Sequence, residues 1–432
     1  MKVICDVSLL GCSCMTGVPR VVEEVAIGLC RHPECETIFC SEKNRYSSVK
    51  KYLENNVGSF PEYRLSKPDI FLNFSFLAFC VGYCYNRERE LKAMIKGGGQ
   101  HDSRLKFRKR FFNHTRKILS SLIINNVSRE DLGTADIYHV MYPCIPKSVR
   151  RYNNLSFLHT VHDLIPVLYT QYIPDSSNRL IKKYLDWISE KDFVLCVSHS
   201  TRNDLLNYKR RLDPEKVLVT HLAASERFYP CEFPEEVKAV KIKHGIPGDG
   251  RYILSVATFD PRKNLHLLIR SFAEVIKSEK INDLFLVLTG RLGWNYKNIF
   301  QEVEDNPEIK DKIIITGYVD GADLSPLYTG ALAFVYPSIY EGFGLPPLEA
   351  MQCGVPVITS NTSSLPEVVG DAGIMVEPND VAGLSAAIHK VYKSGSLRAD
   401  MSRRSRERAR LFSWEKCVDQ TVAAYKKAIA MR

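Results

Sequence analysis

Two glutamates, Glu341 and Glu349, stand eight positions apart in the stretch YPSIYEGFGLPPLEAMQCGVPVIT (336–359), with Gly342, Gly344, Pro346 and Pro347 between them. The GFG sequence breaks a helix, whereas a proline pair suits the first turn of a new one. Glu341 is therefore expected in a loop after the apolar run LAFVY (332–336), and Glu349 in the first turn of the helix that follows. The turn Gly342-Phe343-Gly344-Leu345 would aim free backbone N–H groups the same way as the two carboxylates. Such N–H groups favour an anion, while carboxylates accept hydrogen bonds from hydroxyls. A ligand that combines hydroxyls with a phosphate meets both needs.

Further stretches carry polar residues where apolar runs end. VATFDPRKNL (256–265) places Thr258, Arg262 and Lys263 after a strand-like run. LHTVHDLIPVLY (158–169) places His162 and Asp163 at another strand end, with His159 read as a packed strand residue. CSCMTGVPRVVEEVAIGL (12–29) is a glycine turn at Gly17 followed by an amphipathic helix with Arg20 in its first turn. ITGYVDGADLSPLY (315–328) contributes Tyr318 and Val319, and SNTSSLPEVVGDAG (360–373) contributes Glu367, which serves equally well as a carboxylate at a helix start.

These segments need a scaffold that brings strand ends together. Short apolar runs at 155–161, 193–197, 216–221, 252–257, 284–289, 313–316, 332–336 and 355–359 alternate with helical stretches such as KNLHLLIRSFAEVIK (263–277). That alternation predicts an α/β protein with parallel sheets. The stretch 224–250 holds three prolines and three glycines, so a boundary is placed there. The expected units are 1–223, 224–411 and a terminal helix within 412–432, capped by Ser413. Two doubly wound domains would bind a ligand in the cleft at the carboxyl ends of their strands.

The chain has 432 residues, 45% of them hydrophobic, and a formal charge of +10. That composition excludes wholesale disorder and leaves ample core, and the basic excess suits anionic partners. MKVICDVSLL reads as a first buried strand rather than a secretion signal. The 13 cysteines include no CxxC pair, so they are read as reduced thiols and no metal site is expected. Residues 87–117 hold eleven Lys and Arg against three Asp and Glu, with Phe107, Phe111 and Phe112 among them. An anionic membrane surface accounts for that mixture; a solvated helix or loop, or a nucleic-acid contact, stands as the other reading. The preceding run IFLNFSFLAFCVGYCY (70–85) is too short to span a bilayer and is expected as a buried strand or a shallow membrane-facing segment.

The motif YPSIYEGFGLPPLEAMQCGVPVI closely resembles the E-x7-E signature of retaining glycosyltransferases of family 4, which have the GT-B fold. The resemblance is strongest from about 155 to 420 and extends over most of the chain. It implies that two Rossmann-like domains face a cleft and that the last helix crosses back onto the first domain. It implies that Glu341 contacts hydroxyls of a donor sugar and Glu349 the ribose of a nucleotide. Arg262 and Lys263 then hold the diphosphate, Tyr318 and Val319 the nucleobase, and Gly17, Arg20, His162 and Asp163 the sugar or phosphate from the other domain. The sequence departs from many relatives in carrying Ala257-Thr258 where they have a Gly-Arg pair. Retention through a front-face attack follows from the resemblance, and so does metal independence, in keeping with the lack of a DxD motif near a strand end; no cofactor is expected. The HDLIP form is most similar to bacterial mannosyltransferases of O-antigen or capsule synthesis. The expected donor is GDP-mannose, with a UDP-hexose or another GDP-sugar as the alternative. The expected acceptor is a glycan, carried on a lipid if 87–117 meets a membrane. The expected location is the cytoplasm, at the inner face of the cytoplasmic membrane, with no nucleic-acid partner. A nucleotide-sugar epimerase, a phosphorylase or a non-catalytic nucleotide-sugar binder are the rival readings.

Overall fold

The structure, a computed structural model, describes all of the chain except residues 12–16, 43–44, 61–62, 68–73, 97–102, 122–126, 143 and 174. Among the described residues there are two sheets, and every strand pair is parallel. The first contains β1 (Lys2–Asp6), β2 (Glu36–Cys40), β3 (Arg64–Leu65), β4 (Ile137–Val140), β5 (Ser156–Val161), β6 (Phe193–Cys196) and β7 (Val217–Val219), in the order β3-β2-β1-β4-β5-β6-β7. The second contains β8 (Arg251–Val256), β9 (Leu284–Thr289), β10 (Ile313–Gly317), β11 (Ala333–Tyr336), β12 (Val357–Ser360) and β13 (Ile374–Val376), in the order β10-β9-β8-β11-β12-β13. Each sheet reverses direction of winding once, between β1 and β4 and between β8 and β11. Ligands of open α/β sheets bind at such switch points, outside the carboxyl ends of the strands.

The strands read as continuous apolar runs because helices cover both faces of each sheet. In β8 Tyr252, Ile253 and Leu254 are all fully buried, and in β11 so are Ala333, Phe334 and Val335. A strand in a half-solvated sheet would have alternated. The stretch between the sheets, 224–250, holds a helix at Pro234–Lys243 but no strand.

The helix Trp414–Ala430 begins at Ser413, whose side chain accepts from the Lys416 N–H. It leaves the second sheet and lies on the first: Tyr425 Oη meets His139 Nδ1 at 2.7 Å, and Ser156 Oγ donates to Ala428 O at 3.0 Å. Its closest neighbour is the helix Val18–Arg31. A Cβ at Gly28 would stand 2.3 Å from Val418 Cγ2, so only glycine lets the two helices approach this far.

One expectation is overturned. Of the two readings of the apolar run 70–85, the strand fails for its described residues: Phe74–Lys96 is one helix, with residues 68–73 outside the described part, and the membrane-facing reading is not decided by this. Periodicity cannot separate a buried strand from a helix in a short apolar run, and here the run continues into the helix-forming NRERELKAMIK. This helix pairs with a second, Ser103–Ser121, through an edge-to-face contact of Tyr83 with Phe112 at 6.1 Å. The basic stretch 87–117 is thus helical where it is described. No helix among the described residues is long and apolar enough to cross a membrane.

Candidate active site

The chain leaving β8 forms a short 3-10 turn, Pro261–Lys263, capped by Asp260, whose side chain accepts from the Arg262 N–H. The chain leaving β11 returns past it through Ser338 and Tyr340 to Glu341. Four donors converge on a single oxygen of Glu341, Oε1: Ser338 Oγ at 2.5 Å, Lys263 Nζ at 2.6 Å, Arg262 Nη1 at 2.7 Å and Tyr336 Oη at 3.0 Å. The other oxygen takes none of these. Burial alone would raise the Glu341 pKa, but Arg262 and Lys263 overcome it and hold the carboxyl at about 2. Burial and the adjacent guanidinium pull Lys263 down from its ordinary range, while Glu341 pulls it back.

Gly344 has φ 109°, which a residue with a side chain rarely adopts, and it caps the helix Leu345–Gln352. The helix therefore starts at Leu345 rather than at the prolines, and Glu349 falls in its second turn instead of the expected first. Pro346 and Pro347 carry no N–H. The donors at this helix start are the N–H groups of Phe343, Gly344 and Leu345, which have no partner among the described residues. Glu349 is bound from both domains: Arg20 Nη1 of the first donates to Oε1 at 2.9 Å, and Tyr328 Oη of the second donates to Oε2 at 3.2 Å. Burial raises the Glu349 pKa against the pull of Arg20. Arg20 lies in the first turn of the helix Val18–Arg31, its guanidinium 5.0 Å from the Phe228 ring centre. Its Nη2 is buried and unpaired among the described residues.

On the first domain, β5 ends at Val161 and delivers His162 and Asp163. His162 Nε2 lies 2.8 Å from Met141 O, and a carbonyl only accepts, so Nε2 carries the proton. Burial lowers the His162 pKa to about 4, so the ring is neutral near pH 7 and Nδ1 is an acceptor. That suits a hydroxyl and not a phosphate. Asp163 Oδ1 accepts from the Ile165 N–H at 2.9 Å, and burial raises its pKa against Arg262. His159 is fully buried against Asp192 at 3.0 Å, as its strand position suggested.

The two domains touch through the same motifs. A Cβ on Gly342 would lie 2.1 Å from His162 O, so glycine is required for the domains to meet here. Gly342 O accepts from Ser198 Oγ at 2.7 Å and from Thr201 Oγ1 at 3.1 Å. Glu367 accepts from the His199 and Ser200 N–H groups and from His221 Nε2. It thereby caps the helix His199–Tyr208 of the opposite domain, a bridging role that neither sequence reading of Glu367 anticipated.

Between the domains lies a cavity of about 480 Å³, of a size that holds small ligands. It is lined by Gly17, Arg20, His162, Asp163, Thr258, Lys263, Tyr318, Val319, Glu341, Gly342, Phe343, Gly344, Leu345 and Glu349. Of the residues selected from sequence, Glu367 lies outside this cavity, at the domain contact just described, and so does Arg262. Arg262 does not line the cavity, because its guanidinium turns back to Tyr340 O and Glu341. Sequence reasoning missed Arg291, which lines the cavity at the end of β9 with its guanidinium 4.4 Å from the Tyr318 ring centre. The signal was present as TGR directly after a strand run. It missed Gly290 too, where a Cβ would meet Ala257 O at 1.8 Å.

Two doubly wound sheets with a charged cleft between them define the GT-B architecture. In that respect the chain is similar to a glycosyltransferase of Rickettsia africae ESF-5, with a TM-score of 0.65 and 19% identity over 99% of this chain and 98% of that one. The family description "Glycosyl transferases group 1" matches residues 236–408. The chain is 38% identical to O-antigen chain mannosyltransferase B of Escherichia coli over 271 residues, which cover 62% of this chain and 69% of that one. It is 30% identical to the serotype-specific mannosyltransferase WbdA of Escherichia coli over 259 residues, 59% of this chain but only 31% of that protein. The chain belongs to the group 1 glycosyl transferases, and it is an enzyme of that class.

Proposed function

We propose that the protein transfers mannose from GDP-mannose, with retention, to a hydroxyl of a growing O-antigen-type glycan. The observation that carries this reading is the paired arrangement of Glu341 with Lys263 and Glu349 with Arg20 around one interdomain cavity. Lys263, the unpaired Arg20 Nη2 and the N–H groups of Phe343, Gly344 and Leu345 supply positive charge for the donor diphosphate as it leaves. Glu341 Oε2 and His162 Nδ1 accept from sugar hydroxyls, and Glu349 from the ribose. Glu341 is a poor nucleophile, since four donors and a pKa of about 2 withdraw its charge. Front-face attack, with the departing phosphate taking the acceptor proton, therefore suits this site better than a glycosyl-enzyme. Because these cations serve the leaving group, the reaction is proposed to need no metal. The relatives named for mannose transfer support the donor assignment.

The test is binding and hydrolysis of GDP-mannose, GDP-fucose and the common UDP-sugars with EDTA present. Selective turnover of GDP-mannose is expected. A preference for a UDP-sugar overturns the donor assignment and leaves the residue roles standing.

We also propose that the helix Ser103–Ser121 rests on the inner face of the cytoplasmic membrane. Phe107 and Phe111, one turn apart, are 71% and 57% exposed, and the helix carries no acidic residue. Apolar rings between cationic side chains match an anionic interface. Replacing Arg108, Lys109 and Arg110 with glutamine should release the protein from anionic liposomes; unchanged binding would reject the contact.

A further inference from the structure

The loop before Glu341 sends one tyrosine and the segment after Asp163 two away from the interdomain cavity, into a second one. This second cavity has a volume of about 500 Å³ and shares no lining residue with the first. Tyr169 and Tyr172 come from the first domain, with nearly parallel rings (19°) and centres 6.3 Å apart. Tyr340 comes from the second domain, its ring centre 4.8 Å from that of Tyr169. The Tyr340 hydroxyl donates to Asp204 across the domain boundary. Asp204, Ser363 and Asn379 place a carboxylate, a hydroxyl and an amide on the same walls.

Aromatic faces with acceptors and donors at their margins fit one chemical class well. A pyranose has an apolar C–H face that packs on a ring and a rim of hydroxyls that needs both donors and acceptors. A phosphate finds no cation among the described lining residues, and the carboxylate, hydroxyl and amide on the walls suit a ligand that carries hydroxyls. The position matters as much as the lining. Tyr340 is adjacent in sequence to Glu341, and Tyr169 follows Asp163 by six residues. The cavity therefore backs directly onto the reacting centre, and it is complete only when the domains are together.

We propose that this second cavity binds a sugar residue of the acceptor glycan, one or more units away from the residue that receives the transferred sugar. The proposal rests on the glycosyltransferase reading and adds to it a subsite for the acceptor. Such a subsite favours acceptors of several units over single sugars, because the remote contact adds binding that a monosaccharide cannot make.

Tyr172 is the residue to change, since it lines the cavity and its ring stacks on Tyr169 rather than on Tyr340. Tyr172→Ala should raise the KM for a mannotriose acceptor about tenfold, the effect of losing one good ring contact. It should leave kcat, the KM for methyl α-mannoside, and GDP-mannose hydrolysis without acceptor unchanged. Tyr172→Phe should behave as wild type. An unchanged mannotriose KM in Tyr172→Ala overturns the subsite; so does an equal loss with both acceptors and in donor hydrolysis. If Tyr172→Ala does not fold, Asn379→Ala, at an exposed position, replaces it with the same expectation at smaller size. If the wild type does not turn over GDP-mannose, the donor reading fails separately. Saturation-transfer NMR of mannotriose on wild type and variant then decides the subsite: weaker transfer in the variant supports it, and equal transfer overturns it.

Discussion

Glu341 and Glu349 share a motif and a cavity, yet they are held in opposite ways. Glu341 is fixed wholly within its own domain, by Ser338, Tyr336, Lys263 and Arg262, and stays ionised down to about pH 2. Glu349 owes its ion pair to Arg20 of the other domain, and burial raises its pKa. The first is a finished part of the second domain. The second is completed by closure, and donor binding and domain closure are coupled through it.

The sharpest way to break this contrast is Glu341→Ala. Transfer should fall about 1,000-fold, as when a placed electrostatic group is removed from a reacting centre. Stability should fall too, because Lys263 and Arg262 lose their counter-charge; urea unfolding alongside kinetics separates the two effects. Gly342→Ala comes next. It should leave the second domain intact but hold the domains apart, lowering kcat/KM about 100-fold while GDP affinity, read by calorimetry, changes much less. Arg20→Ala should raise the donor KM about tenfold, with Glu341 untouched.

Acidification sharpens the same contrast. As pH falls, affinity for GDP-mannose should weaken as Glu349 gains a proton, at a higher pH than an ordinary glutamate because burial raises its pKa, and Glu349→Gln should flatten that dependence in calorimetric titrations. The smallest expected effect is on stability. Burial between Tyr425 and Thr160 lowers the His139 pKa to about 3. The unfolded chain then takes up this proton first as pH falls from about 6.5. The contribution of His139 is full above that value and declines toward pH 3. His139→Gln should reduce the slope of urea stability against pH over that window.

The strands of the second domain were legible because each is an apolar run buried on both faces and closed by a polar motif. Glu341, Lys263 and Thr258 follow from that rule. Arg262 did not, because neighbours on a 3-10 turn point in different directions and spacing cannot say which faces a cleft. Arg291 obeyed the strand-end rule but lay in no distinctive motif. The tyrosines of the second cavity are common residues gathered from two domains, and only the fold brings them together. The run 70–85 misled because apolar content alone favours neither strand nor helix.

The chain passes between the domains twice, once in the segment joining β7 to β8 and once between Ala409 and Trp414. A body tied to another at two points loses most of its freedom to twist and slide. What remains is rotation about the line through both ties. The contacts of Arg20 with Glu349, Tyr169 with Tyr340 and Glu367 with the helix at His199 all cross the boundary between the two ties, so any opening of the cleft must break them together.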